Sequence, residues 1–155
     1  MTKTGEYIAF VGRIVVGLVF VAASIDKIAD PESFANSIMN YRIVSGNMPM
    51  LLATVLPWLE LLCGLALCFG IVVRGSSMLS SAMLLMFTVA VISAVLRGLD
   101  ISCGCFTQDP AASKVGWAKV GENTALLMMS MLVWWLGSTI LSLESFLVRR
   151  SSKTY

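Results

Sequence analysis

The chain has 155 residues, 57% of them hydrophobic and 13% charged, with a formal net charge of +2. That is too apolar for a soluble domain of this size, and no basic patch interleaved with aromatics points to nucleic acid. No histidine is present, which excludes His-ligated haem, the common zinc and copper sites and His-based acid–base catalysis. The expectation is a single all-α domain over residues 1–155, an integral membrane four-helix bundle embedded in the lipid bilayer.

In chain order, a short polar start with Lys3 leads into an apolar run over 7–25, long enough to cross a bilayer. Val21-Ala22-Ala23 resembles a signal-peptide cleavage site, but Arg13 interrupts the stretch where such a peptide is uncharged, so a retained first span is expected. Asp26, Lys27 and Asp30 are expected to end it. Asp30-Pro31, followed by Glu32, is a helix start: an N-cap aspartate, a proline at the first position and an acid in the first turn. Phe34, Ile38 and Tyr41 then recur at helical spacing, which predicts a short interfacial helix to about Arg42.

The second span is expected over 48–73, with Pro57, Trp58, Glu60, Cys63 and Cys68, and the third over 76–96, with Arg74 and Gly75 as a tight turn between them. Ser76/Ser80, Ser77/Ser81 and Ala90/Ala94 give the third span small-xxx-small spacings that suit close packing. A loop from Arg97 to about Lys119 holds a possible short helix after Asp109-Pro110, and the fourth span is expected over 123–143. The ten methionines read as core filler.

Four spans put both termini on one side. Lys and Arg are nearly balanced across the membrane, but Arg149 and Arg150 form the only positive cluster, which leans toward cytoplasmic termini. The long loop would then face the periplasm, where disulfides persist.

That loop carries the densest chemistry, Cys103-Gly104-Cys105. Two thiols one residue apart can close a small, strained, readily exchanged disulfide, and Gly104 removes the Cβ clash of so tight a ring. The expected catalytic residues are Cys103 and Cys105, acting by thiol–disulfide exchange, together with Glu60 of the second span. Half of a soft-metal site is the alternative: Cys103, Cys105 and Cys63 could carry Cu(I) or Hg(II) as thiolates.

Inside the membrane, Arg13 and Glu60 fall at similar depth if helices one and two are antiparallel, so an Arg13–Glu60 ion pair near mid-membrane is expected. Cys63 lies one turn after Glu60 on the same face and Cys68 points elsewhere; both read first as buried, inert thiols, the alternative being that Cys63 relays electrons with Glu60 as its proton partner.

Arg13, Gly17, Phe20, Lys27, Asp30-Pro31, Leu56-Pro57-Trp58-Leu59-Glu60, Gly64, Arg97-Gly98, Cys103-Gly104-Cys105-Phe106, Trp117 and Asn123 together resemble the DoxX/MauE family of redox-associated membrane proteins, over about residues 10 to 140. The resemblance implies a four-helix bundle similar to the quinone-linked enzymes DsbB and vitamin K epoxide reductase, although a second loop cysteine pair is absent. It also implies a thioredoxin-like or rhodanese-like periplasmic partner. The reading is then a bacterial inner-membrane thiol–disulfide oxidoreductase passing electrons between that partner and a quinone, with Glu60, Trp58, Arg13 and Cys63 around the quinone. A non-catalytic subunit or assembly factor of a larger redox complex is the other reading. No haem, zinc or other resident metal is expected.

Overall fold

The computed structural model describes residues 3–99 and 116–136. Five helices make up the described chain: α1 (Lys3–Ala29), α2 (Pro31–Asn40), α3 (Met48–Phe69), α4 (Val73–Leu96) and α5 (Trp117–Leu136). Among the described residues there is no strand. Three helices are long and apolar enough to cross a membrane, Gly5–Ala29, Met48–Phe69 and Val73–Leu96. The architecture is an all-α membrane bundle.

Helix ends correct the expected spans. Asp26 and Lys27 do not stop α1; it runs on to Ala29, because nothing in these side chains breaks a helix when one of them is buried and partnered. Asp30 caps α2 as its sequence predicts, with one carboxylate oxygen 3.0 Å from the Ser33 amide and the other 2.6 Å from the Ser33 hydroxyl. These bonds hold the Asp30 carboxyl below the usual carboxylate range. Phe34 and Tyr41 turn into the bundle, and Ile38 packs against its core.

α3 ends four residues earlier than expected, at a Schellman motif. Gly70 takes the left-handed conformation (φ 69°), Ile71 N–H donates to the Ala66 carbonyl at 2.9 Å, and Gly70 N–H to Leu67 at 3.3 Å. The turn is therefore Gly70 to Val72, and Arg74 and Gly75 lie within the first turn of α4 instead of forming the connection. Val72 adopts φ 46°, which a β-branched side chain resists. α4 closes with a second Schellman motif at Gly98 (φ 65°), in which Leu99 donates to Ala94 and Gly98 to Val95.

α5 begins at Trp117, six residues before the expected Asn123, and packs against α4 and α1. The serine stripe of α4 faces it: Ser81 Oγ donates to Ser130 Oγ at 3.0 Å, and Ser130 Oγ donates to the Ser77 carbonyl at 2.9 Å. Arg97, at the α4 C-terminus, donates from Nη1 to the Tyr41 carbonyl at 2.8 Å, tying that end of the bundle to α2.

Candidate functional site

The buried residues of α1 include Ala9, Arg13, Val16, Phe20, Ala23 and Lys27, spaced alternately by four and three. Those of α3 include Pro49, Ala53, Leu56, Glu60, Cys63 and Leu67, with the same alternation. Two such seams pack side by side as in a coiled coil. Glycine sets how close they come. A Cβ on Gly17 would stand 2.9 Å from the Gly64 carbonyl oxygen and 2.7 Å from Cys68 Sγ, and one on Gly64 would stand 2.8 Å from the Gly17 carbonyl oxygen.

This contact fixes an antiparallel register in which the α1 turn level with Glu60 lies near Val21 to Ser24. Helical side chains lean toward their own N-termini. Lys27 therefore leans down α1 toward that level while Glu60 leans down α3 to meet it. Lys27 Nζ lies 2.8 Å from Glu60 Oε1 and 2.7 Å from Oε2. The side chains are 1% and 5% exposed. The ammonium also stands 5.1 Å from the ring centres of Phe34 on α2 and of Phe87 on α4. One side chain thus touches a carboxylate and two aromatic faces contributed by three other helices. A buried charge is tolerated only when so paired, and the rings add cation–π attraction in a setting with little water to weaken it.

The expected Arg13–Glu60 pair is not formed. Arg13 is more than two helical turns (about 12 Å or more) below the level of Glu60, and its side chain leans away from it. The expectation failed because it placed the end of α1 at Ile25 and treated Lys27 as a boundary charge. Arg13 is buried on the same seam, 5.1 Å over the Phe10 ring and beside Cys68. Trp58, two residues from Glu60, points to the opposite side of α3 and is 55% exposed. Cys63 is buried beside Ser80 of α4, and Cys63 and Cys68 are both free thiols. Cys103 and Cys105 lie outside the described residues. So do Asp109-Pro110 and residues 137–143 of the expected fourth span. Lys27 is the residue that sequence reasoning missed as a site member, and the four-three spacing that runs on from Arg13 to Lys27 was the signal for it.

Beside the ion pair, Phe34 and Phe87 form part of an apolar cleft of about 140 Å³, completed by Ile38, Tyr41, Leu52, Leu56 and their neighbours. Burial pushes the Tyr41 phenol above its ordinary value. Among the described residues, no group of three or more His, Cys, Asp or Glu side chains could hold a metal ion.

A family model described as "Methylamine utilisation protein MauE" matches residues 5–136. The curated relatives carry the same description. The protein of Methylophilus methylotrophus is 32% identical over 127 residues, 81% of this chain and 67% of the relative. That of Paracoccus denitrificans is 30% identical over 78% of this chain and 65% of the relative. That of Methylorubrum extorquens is 30% identical over 77% and 64%. The chain thus spans about two thirds of the length of the curated relatives it matches. No solved structure matches it.

Proposed function

The chain belongs to the MauE family, and from that premise we propose that it is the membrane component of a methylamine-utilisation system that exchanges a disulfide with a partner protein through Cys103 and Cys105. The observation that carries this reading is the segregation of the four cysteines. Cys63 and Cys68 sit within α3, a membrane span, out of reach of a water-soluble partner. Cys103 and Cys105 fall in the connection between α4 and α5, which leaves and rejoins the described bundle at the end that carries α2.

In the exchange, a thiolate of the partner's dithiol attacks the Cys103–Cys105 disulfide. A mixed disulfide forms and one loop thiolate leaves. The partner's second thiol then resolves the mixed disulfide, so the partner is oxidised and the loop pair reduced by two electrons, with both protons accounted for on the loop thiols. A quinone bound near Glu60 would supply a two-electron acceptor for the reduced pair. The described residues around Glu60 do not fit a quinone head group. Lys27 and Glu60 satisfy one another, Trp58 faces outward, and among the described residues the neighbouring cleft has Tyr41 as its one polar side chain. The proposal therefore rests on the thiols. The inner membrane, cytoplasmic termini and a thioredoxin-like or rhodanese-like periplasmic partner complete it.

Cys103→Ser or Cys105→Ser leaves one loop thiolate, which can still attack the disulfide of the oxidised partner in the reverse of this step, and is expected to trap a mixed disulfide with it. If neither variant traps a partner where a known exchanger does, the reading is wrong. Full methylamine oxidation with both residues changed to serine would instead favour a non-catalytic anchoring subunit.

A further inference from the structure

A second recess adjoins the apolar cleft. It is formed by Met39, Arg42, Ile43, Val44, Ser45, Gly46 and Pro49, has a volume of about 440 Å³, and shares Ile43 and Val44 with the cleft. The two differ in character. The cleft is walled by Phe34, Leu52, Leu56, Phe87 and Ala90, and its volume is close to that of a dry protein cavity that accepts a single six-membered ring. The recess offers the Arg42 guanidinium and the Ser45 hydroxyl. Arg97 lines neither compartment; its Nη1 donates to the carbonyl of Tyr41, a residue of the cleft, at 2.8 Å. Among the described residues, no acidic side chain lines either compartment. Arg42 is held at φ 53° at the α2 C-terminus, where its N–H donates to the Met39 carbonyl at 2.9 Å.

We propose that these joined compartments bind an anionic phospholipid, with its phosphate at Arg42 and Ser45 and part of one acyl chain in the cleft between α2, α3 and α4. Charge complementarity selects this occupant. A hydrocarbon segment matches the apolar cleft, and a phosphate matches the Arg42 guanidinium and the Ser45 hydroxyl beside it. A zwitterionic lipid would fill the cleft equally well but would bring a second cation beside Arg42. This site is independent of the cysteine chemistry, since none of its residues belongs to the exchange proposed for the loop.

The full chain in detergent, given equal amounts of dioleoyl phosphatidylglycerol and dioleoyl phosphatidylcholine, should retain the anionic lipid in native mass spectra with about tenfold preference, the scale of one partly exposed charge-assisted contact. Arg42→Asn keeps a residue that tolerates the left-handed backbone and should bring the preference close to parity. Ala90→Phe fills the cleft and should lower retention of both lipids. Equal retention of the two lipids by the unaltered chain would overturn the proposal. So would a preference unchanged by Arg42→Asn, a surface substitution that leaves the helices intact by circular dichroism. Displacement of the lipid by millimolar inorganic phosphate would mean that the acyl chain contributes nothing, and would overturn it as well.

Discussion

Removing one partner of the Lys27–Glu60 pair tests whether that ion pair holds four helices together. Lys27→Met leaves a carboxylate 5% exposed that has lost two hydrogen bonds of 2.8 and 2.7 Å. An uncompensated buried charge of this kind costs about 3–5 kcal/mol. Glu60→Gln is milder, about 2 kcal/mol, because the ammonium keeps an amide oxygen and two ring faces, each worth up to about 2 kcal/mol when desolvated. The double variant Lys27→Met/Glu60→Met exposes no charge to hydrocarbon and should return to within about 2 kcal/mol of the original, since apolar replacement of a buried pair is often neutral. With Glu60→Met as the matching single variant, which also leaves an uncompensated buried charge at about 3–5 kcal/mol, thermal unfolding in mixed micelles should give a coupling energy of about 4 kcal/mol or more between positions 27 and 60. Between 13 and 60 the coupling should fall within the roughly 0.5 kcal/mol expected of distant sites. Strictly additive effects at 27 and 60, or strong coupling of Arg13 to Glu60, would refute the reasoning.

Other consequences follow from the same contacts. Gly64→Ala places a methyl against the Gly17 carbonyl, a backbone atom that cannot swing aside, and should cost about 1–3 kcal/mol of stability. Gly12→Ala, which meets only Met129 and Val133 side-chain atoms, should cost less in the same unfolding assay. Val72→Gly relieves a left-handed backbone and should raise stability by up to about 1 kcal/mol once the added flexibility of glycine is deducted. The Asp30 cap carries a pH signature. Its carboxyl titrates lower in the folded chain than when unfolded, so its contribution is complete above the ordinary carboxylate pKa of about 3.9 and is lost as pH falls through the lower folded value. Asp30→Asn should flatten the acid limb of the stability profile, and an unchanged limb would mean that the cap does not titrate as described.

The parts of this fold that were legible in the sequence are those set by local chemistry. Asp30-Pro31 announces α2 because a capping carboxylate and a proline act within one turn of themselves. The apolar runs announce α1, α3 and α4 for the same reason. What stayed hidden depends on residues far apart in the chain. Lys27 and Glu60 are 33 residues apart, and their meeting follows from a register set by Gly17 and Gly64, which no local pattern reveals. A lysine at the end of an apolar run looks like a boundary until its neighbours on the seam are counted. Gly70 and Gly98 were visible as glycines, but their work as left-handed caps appears only with the carbonyls they satisfy. The Cys103-Gly104-Cys105 pair is legible chemically, and its placement lies outside the described residues.

The buried lysine also bears on how the protein is made. A ribosome delivers α1 before α3, so Lys27 reaches the membrane 33 residues ahead of the carboxylate that will neutralise it. Until Glu60 emerges, a lone ammonium disfavours full burial of the last turns of α1. The first helix is thus a provisional span. It seats completely only when the second one arrives to join it, and α2, the short helix between them, is the length of chain that has to wait at the membrane surface meanwhile.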